Sequence, residues 1–355
     1  MRIGIPREIK IHEGRVGLIP EAVAALVRLG HEVFIQSGTG ELSGYPDQIY
    51  RMAGASISAD INALYEAARL IVKVKEPVEP ELSLLRSDHL LFSYLHLAAN
   101  PELTKRLLDI GLTAIGFETV QSEDGQLPLL APMSDIAGRI AVQTAATLLY
   151  HHHGGKGILL GGLPAAERGR VVILGGGVAG GNAAVVAASL GAEVVVFDRN
   201  RQKLERMRAL GGNVTALYPY NDLIEREACK ADVLVGAVLI TGEKAPHLVS
   251  ADMVRQMSPG SVIIDIAVDQ GGCIETTRPT TYADPTFIWE NIIHYAVTNM
   301  PGAVPRSASQ ALSASLMPYL MILAEKDWQK NKALNGGINV SGGQLIHPAL
   351  KKYVA

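Results

Sequence analysis

From its first residues the chain alternates short apolar runs with longer stretches in which apolar positions recur every three or four residues. Ile3 to Ile5 is followed by a helical pattern from Pro20 to Leu29 and then by a second apolar run, Val33 to Ile35. Short runs bounded by polar residues predict strands, and the longer spacing predicts helices between them, so the opening reads as β-α-β. Pro20 suits the first helical turn, where its missing N–H costs nothing, and Gly30 suits the position just past the helix, where positive φ is common. Further strands are predicted at Leu70 to Val74, His89 to Tyr94 and Thr113 to Phe117. Lys75 and His96 fall just past the carboxyl ends of two of them. That edge of an open parallel sheet is where ligands bind, because the loops diverge there and leave a crevice.

A helical stretch, Ser134 to Tyr150, leads into the glycine-rich segment Gly154-Gly155-Lys156-Gly157 and Gly161-Gly162, which reads as a connection before a new unit. A second series of apolar runs follows at Val171 to Leu174, Glu193 to Phe197, Val233 to Ala237 and Ser261 to Ala267, with helical segments between them. A last helical run, Gln310 to Lys326, is placed to return to the first lobe. The pattern therefore predicts an α/β protein of two doubly wound domains, with no internal repeat beyond the doubling of α/β units.

The most informative local stretch is Val171-Val172-Ile173-Leu174-Gly175-Gly176-Gly177-Val178-Ala179-Gly180, a buried strand running into G-x-G-x-x-G and a helix. Gly175 permits the tight turn, Gly177 lets the backbone approach a pyrophosphate, and Gly180 lets the helix pack closely on its strand. The next strand ends at Asp198, 18 residues beyond Gly180, near the spacing expected of an acid that accepts from ribose hydroxyls. Its carboxylate would repel a 2′-phosphate, so NAD is favoured over NADP, with Arg199 as a neighbour able to soften the preference. An ordinary glycine-rich turn is the alternative.

Composition narrows the class. At 355 residues the chain approaches two domains of typical size, so a bilobed protein with a cleft is expected. Hydrophobic residues at 48% and charged ones at 19% fit a compact enzyme rather than a disordered chain. A net charge of −3 without a basic block gives no electrostatic case for nucleic acid, so the partner is expected to be small. Two cysteines, Cys229 and Cys273, form neither a disulfide framework nor a metal pattern, which suits a reducing, cytoplasmic setting. No apolar run is long enough for a signal peptide or a membrane span. The run His151-His152-His153 suggests a metal site, but adjacent histidines on a regular helix cannot all face one ion, and no Cys or carboxylate cluster adjoins them, so no metal is expected.

Nicotinamide chemistry needs a cation to hold a carboxylate or polarise a carbonyl, and a group that moves protons. Arg15, Lys75 and His96 offer these in the first lobe, and Asp269 in the second, just beyond a strand end. Each has a plainer reading: Arg15 as a solvated charge, Lys75 as a partner of Glu76 with Lys73 competing for its role, His96 as a satisfied core histidine, and Asp269 as a turn cap against Gly271.

Motifs along the chain bear on that choice. Met1-Arg2-Ile3-Gly4-Ile5-Pro6-Arg7-Glu8 with Arg15-Val16-Gly17-Leu18-Ile19-Pro20, Lys73-Val74-Lys75-Glu76-Pro77, Leu95-His96-Leu97-Ala98, Pro128-Leu129-Leu130-Ala131-Pro132-Met133-Ser134, Asp265-Ile266-Ala267-Val268-Asp269-Gln270-Gly271-Gly272 and Thr298-Asn299-Met300-Pro301 closely resemble, in order, the alanine dehydrogenase family. The resemblance implies a reversible reaction in which L-alanine, NAD and water give pyruvate, ammonium and NADH. It implies Arg15 and Lys75 on the substrate, His96 as general acid/base and Asp269 as a second proton-handling group. For cofactor contacts it points to Ser134, Val178, Asp198, Lys203, Leu239, the Ile266 to Asp269 turn, Arg278 and Val297 to Met300, beside the glycines 175, 177 and 180. It also implies a Rossmann NAD-binding domain, residues 131–305, inserted in a flavodoxin-like substrate domain of residues 1–130 and 306–355, and a homohexamer. One departure is expected to alter the adenosine end: Tyr218-Pro219-Tyr220 stands where the family often has a small hydroxylated residue.

Three other readings share the fold. The NAD-binding subunit of a proton-translocating transhydrogenase does not need both Lys75 and His96. A saccharopine dehydrogenase handles a much larger substrate. An NADH-sensing protein would bind without turnover, which the set Arg15, Lys75, His96 and Asp269 argues against.

Overall fold

In the computed structural model, which describes residues 1–238 and 246–353, the early apolar runs become parallel strands. The chain runs β1 (Arg2–Ile5), α1 (Pro20–Arg28), β2 (Glu32–Gln36), α2 (Asp47–Met52), β3 (Ser56–Ser58), α3 (Ile61–Ala67), β4 (Leu70–Val72), β5 (Leu90–Ser93), α4 (Pro101–Ile110) and β6 (Thr113–Gly116). Ile3 and Ile5 on β1, all of β4, and Leu91 and Phe92 on β5 are buried, each such side chain contributing roughly 1.5–3 kcal/mol on leaving water. Helix α1 turns Ala22, Val23 and Leu26 inward, starts at Pro20 and is followed by Gly30 at φ +83°. Helix α4 is capped by the Asn100 side chain, which accepts from Leu103 N, and ends on left-handed Gly111, supplying both orphan ends of the helix with partners.

After α5 (Ala131–Leu148) the second series comprises β7 (Arg170–Leu174), α6 (Val178–Ser189), β8 (Glu193–Phe197), α7 (Arg201–Arg208), β9 (Val214–Leu217), α8 (Asn221–Ala228), β10 (Val233–Gly236), α9 (Ala251–Arg255), β11 (Val262–Asp265), β12 (Thr286–Trp289) and β13 (Ile292–Tyr295). The chain closes with α10 (Pro305–Leu323), α11 (Lys332–Gly336), β14 (Ile338–Ser341) and β15 (Gln344–Leu345). Two compact units result, Met1–Met133 with Gly302–Ala355, and Ser134–Pro301.

The first unit holds an eight-stranded sheet in the order β15-β14-β6-β5-β4-β1-β2-β3. β1 to β6 pair in parallel, while β14 joins β6 antiparallel. With the three-residue edge strand β3 set aside, the parallel order is the 2-1-3-4-5 of flavodoxin-like sheets. The second unit is seven-stranded, β12-β13-β11-β10-β7-β8-β9, parallel except for the edge pair β12–β13. Its parallel part has the 3-2-1-4-5-6 order of dinucleotide-binding sheets.

Strands β4 and β5 end earlier than the apolar pattern predicts, and a carboxylate takes over backbone donors just beyond each end. β4 stops at Val72 because Val74 N donates to the Glu8 carboxylate at 2.7 Å. β5 ends at Ser93: Tyr94 N makes one last bond to Val74 O at 3.1 Å, and the donors that follow, on Leu95 and His96, turn to Glu118. Among the described residues, no helix is long and apolar enough to cross a membrane.

Candidate active site

In the first unit the strand order reverses between β1 and β4, the topological switch point at which open α/β sheets leave a crevice. Arg15 lies in the β1–α1 connection, Lys75 follows β4 and His96 follows β5. Three adjacent strands therefore deliver the three expected groups to one sheet edge.

Arg15 is not a solvated charge: it is 2% exposed. Its Nε donates to Glu13 Oε1 at 2.7 Å, Nη2 pairs with the other carboxylate oxygen, and Nη1 approaches Met133 Sδ at 3.1 Å. Burial alone would push the Glu13 carboxyl up, but the hydrogen bond and charge of Arg15, with Lys75 adding to them, hold it below its ordinary value. The Arg15 loop is anchored on both sides, since Val16 N donates to Ser309 Oγ at 2.9 Å and Ser43 Oγ donates to Gly14 O at 2.7 Å.

Two residues separate the competing lysines, and their surroundings differ. Lys73 is fully buried, with Nζ 2.6 Å from Glu81 Oε1 and 3.2 Å from Glu8 Oε2. Burial works against its charge and the two carboxylates more than restore it, while burial drives Glu8 upward. Lys73 is thus a core charge that pins the chain after β4, and the half-buried Lys75 is the lysine presented at the edge. Glu76 pairs with Lys10.

His96 is exposed and sits in left-handed backbone, φ +49° and ψ +38°. It is therefore not a core histidine. Its ring lies nearly parallel to that of Tyr94, 5.9 Å away at 11°, and Tyr94 is in turn fixed by donating its hydroxyl to Leu129 O at 2.6 Å. Glu118, from the turn after β6, accepts from His96 N at 2.6 Å.

In the second unit the glycine turn, Asp198 and the Ile266 to Asp269 turn follow the carboxyl ends of β7, β8 and β11. Gly175 takes φ +99°. A Cβ on Gly180 would fall 1.8 Å from Gly175 O, so the close approach of α6 to its strand demands glycine there. Gly177 faces open space, and α6 begins at it without a side-chain cap. An uncapped twelve-residue helix opening on a bare glycine fits a pyrophosphate, with backbone N–H groups and the helix dipole to receive it. Val178, the first helical residue, is exposed.

Asp198, at the end of β8, is held across the turn: Oδ2 accepts from Gly176 N at 2.8 Å and Oδ1 from Asn200 N at 2.7 Å, with Lys203 Nζ at 3.7 Å. Beyond β9, Tyr218 and Tyr220 are exposed with ring centroids 4.9 Å apart. Ser134 is half-buried in the first turn of α5, and Leu239 lies outside the described residues.

Asp269 is exposed on the short turn Val268–Gln270 that follows β11. The turn closes through its backbone, with Gly271 N donating to Val268 O at 3.1 Å. What shapes it is Asp265: Oδ1 accepts from Ala267 N at 3.0 Å, and Oδ2 from Cys273 N at 3.2 Å and Thr277 Oγ1 at 2.8 Å. Burial pushes the Asp265 carboxyl up, and those bonds oppose the shift. Ile266 N donates to Gly236 O at 2.8 Å. Arg278 places its guanidinium 4.4 Å over the Phe287 ring. Val297 and Met300 are buried, and Asn299 between them has φ +64°.

The residues that motif reasoning missed are the supporting acids Glu13, Glu118 and Asp265. His151, His152 and His153 are exposed on one short turn, and no cluster suited to a metal occurs among the described residues.

Comparison with known proteins identifies the family. Residues 4–137 match the family model "Alanine dehydrogenase/PNT, N-terminal domain", and residues 141–348 match "Alanine dehydrogenase/PNT, C-terminal domain". An alanine dehydrogenase of Mycolicibacterium smegmatis is 48% identical, covering 99% of this chain and 96% of its own length. A solved L-alanine dehydrogenase superposes with a TM-score of 0.95 at 48% identity, covering 99% of both chains. A transhydrogenase structure from Sinorhizobium meliloti superposes with a TM-score of 0.85 at 27% identity, covering 98% of this chain and all of that one.

Proposed function

This chain belongs to the alanine dehydrogenase/PNT family, and from that premise we propose that it interconverts L-alanine and water with pyruvate and ammonium, using NAD as its pyridine nucleotide. The observation that carries the reading is the convergence of Arg15, Lys75 and His96 on the carboxyl ends of three adjacent strands at a switch point.

Arg15, made rigid by Glu13, binds the substrate carboxylate, since a buried guanidinium held in one orientation pays little entropy to receive a second planar anion. Lys75 directs its ammonium at the substrate oxygen and polarises the reacting carbon. His96, exposed and mounted on the Tyr94 ring, moves the proton at its imidazole nitrogen, and Asp269 orients water or shares the proton. NAD supplies the hydride acceptor, and NADH the donor in reverse. Gly175, Gly177, Val178 and Gly180 hold its pyrophosphate, and Asp198 with Lys203 its adenosine ribose. Ser134, Leu239, Ile266, Arg278, Val297, Asn299 and Met300 complete the cofactor contacts. Residues 1–130 with 306–355 act as the substrate domain and residues 131–305 as the NAD domain. The assembly is a homohexamer in the cytoplasm, a setting that suits two free thiols.

The deciding assay is NADH oxidation with pyruvate and ammonium, beside one reaction lacking ammonium and one offering thio-NAD as hydride acceptor. Turnover that needs both pyruvate and ammonium supports the proposal. Hydride exchange to thio-NAD without such turnover would replace it with the transhydrogenase reading.

A further inference from the structure

We propose that Glu118 is the positioning residue for His96. The inference rests on His96 being the proton-transfer group. Glu118 lies on the short turn after β6, on the strand next to β5, 22 residues from His96 in sequence. Its carboxylate takes two consecutive backbone donors: Leu95 N at 3.1 Å to Oε1 and 3.2 Å to Oε2, and His96 N at 2.6 Å to Oε1. These are the amides through which the chain leaves the ladder and enters left-handed backbone at His96. An L-residue other than glycine adopts that conformation only when its surroundings over-determine it. Here the carboxylate rewards it by gathering both N–H groups, and a chain relaxing to negative φ would turn at least one of them away.

The clamp is itself braced. A Cβ on Gly116 would lie 3.3 Å from the Glu118 Cδ and 2.9 Å from Thr119 Oγ1, so Gly116 leaves the room in which the acid folds back. Thr119 Oγ1 donates to Asn339 Oδ1 at 2.8 Å, tying the turn to β14. Tyr94 fixes the plane of the imidazole from one side and Glu118 fixes the backbone from which it projects. Placement of a proton-transfer group to within a fraction of an ångström is what such paired restraints supply.

What the clamp needs is an acceptor at the right reach, not a charge or a proton. Glu118→Gln keeps a carbonyl oxygen at that reach, while Glu118→Asp keeps the charge and falls short. The test measures kcat and the KM for pyruvate, with ammonium and NADH, for the wild type, Glu118→Gln, Glu118→Asp, Glu118→Ala and His96→Ala, with NADH affinity and thermal midpoint alongside. The expected result is Glu118→Gln within a few-fold of wild type. Glu118→Asp and Glu118→Ala should lose kcat on the order of 10²-fold with NADH affinity and pyruvate KM little changed. Glu118→Asp outperforming Glu118→Gln would overturn the inference, because charge would then matter more than reach; this ranking decides even where Glu118→Ala fails to fold. Wild-type kcat in Glu118→Ala beside an inactive His96→Ala would remove Glu118 and leave His96 in place. Full activity in His96→Ala would remove the reading on which the inference rests. Parallel loss of NADH affinity and thermal midpoint in every Glu118 variant would make the residue merely structural.

Discussion

At the scale of single residues, Arg15 and His96 are each held by a neighbouring acid, Glu13 and Glu118. His96→Ala removes the proton-transfer group while leaving the glycine turn of the other unit untouched. Turnover should fall on the order of 10²–10⁴-fold with NADH affinity unchanged, and stopped-flow rates with fluorescence titration of NADH check both halves of that statement. Asp198→Ala should relax the preference for NAD over NADP, read as the ratio of kcat/KM values for NADH and NADPH; an unchanged ratio would take Asp198 off the ribose. Glu13 carries a pH signature. Its carboxyl is held below 4.5 in the folded state because the bonds to Arg15 outweigh burial. A depressed acid contributes stability that is present above its unfolded value and is lost as pH falls through the folded one. Glu13→Gln should therefore cost about 3–5 kcal/mol near neutral pH, as expected for breaking a buried ion pair from one side. The gap from wild type should close as denaturation is repeated at pH values falling below 4.5.

At the scale of elements, the glycine turn makes a sharper demand than any propensity. Gly180→Ala would drive a methyl group into Gly175 O, so α6 must lift from β7 and the phosphate cradle must open. NADH binding should be lost, while Gly212→Ala, where nothing lies within 4 Å, should stay within about 0.5 kcal/mol of wild type. Equilibrium dialysis against NADH and thermal melts of both variants make the comparison. The elements legible in the sequence were those with strong apolar contrast: β1, β2, β4, β5, β6, β7, β8, β10 and β11, and the helices marked by Pro20 or by the glycine run. The edge strands β3, β9, β12 and β15 escaped together with β13 and β14, which carry the two antiparallel ends of the sheets and follow no β-α-β alternation. Among the site residues, Lys75 and His96 were legible from their place past strand ends. Choosing Lys75 over Lys73 was not, since both are lysines on either side of Val74 and the chain bends there. The supporting acids were hidden for another reason: Glu118 meets His96 only because β6 pairs with β5, a fact of topology that no local spacing announces.

At the scale of the whole molecule, the chain leaves the first unit after residue 133 and returns at residue 302, so the two units depend on chain continuity differently. Ser134–Pro301 is one uninterrupted stretch with its own sheet and its own core, built around Val172, Leu174, Leu234 and Ile263. Expressed alone, residues 134–301 should fold and bind NADH, and show no turnover of pyruvate with ammonium, because Arg15, Lys75 and His96 are absent. Residues 1–133 alone have lost α10 and β14. Without α10 the hydroxyl of Ser309 no longer receives Val16 N, and that of Ser313 no longer receives Ile19 N, leaving the Arg15 loop without its outer wall. Without β14, β6 becomes an open edge and Thr119 loses Asn339, so the turn carrying Glu118 is released as well. That fragment should be unfolded or aggregated by circular dichroism and size exclusion, and mixing it with residues 134–301 should restore no activity. Supplying residues 302–355 joined to residues 1–133 by a short flexible linker should restore a cooperative thermal transition, since it returns both walls of the site in the chain order the sheet requires. A well-folded fragment of residues 1–133 by itself would show that the returning segment is an ornament of the first unit rather than part of its core.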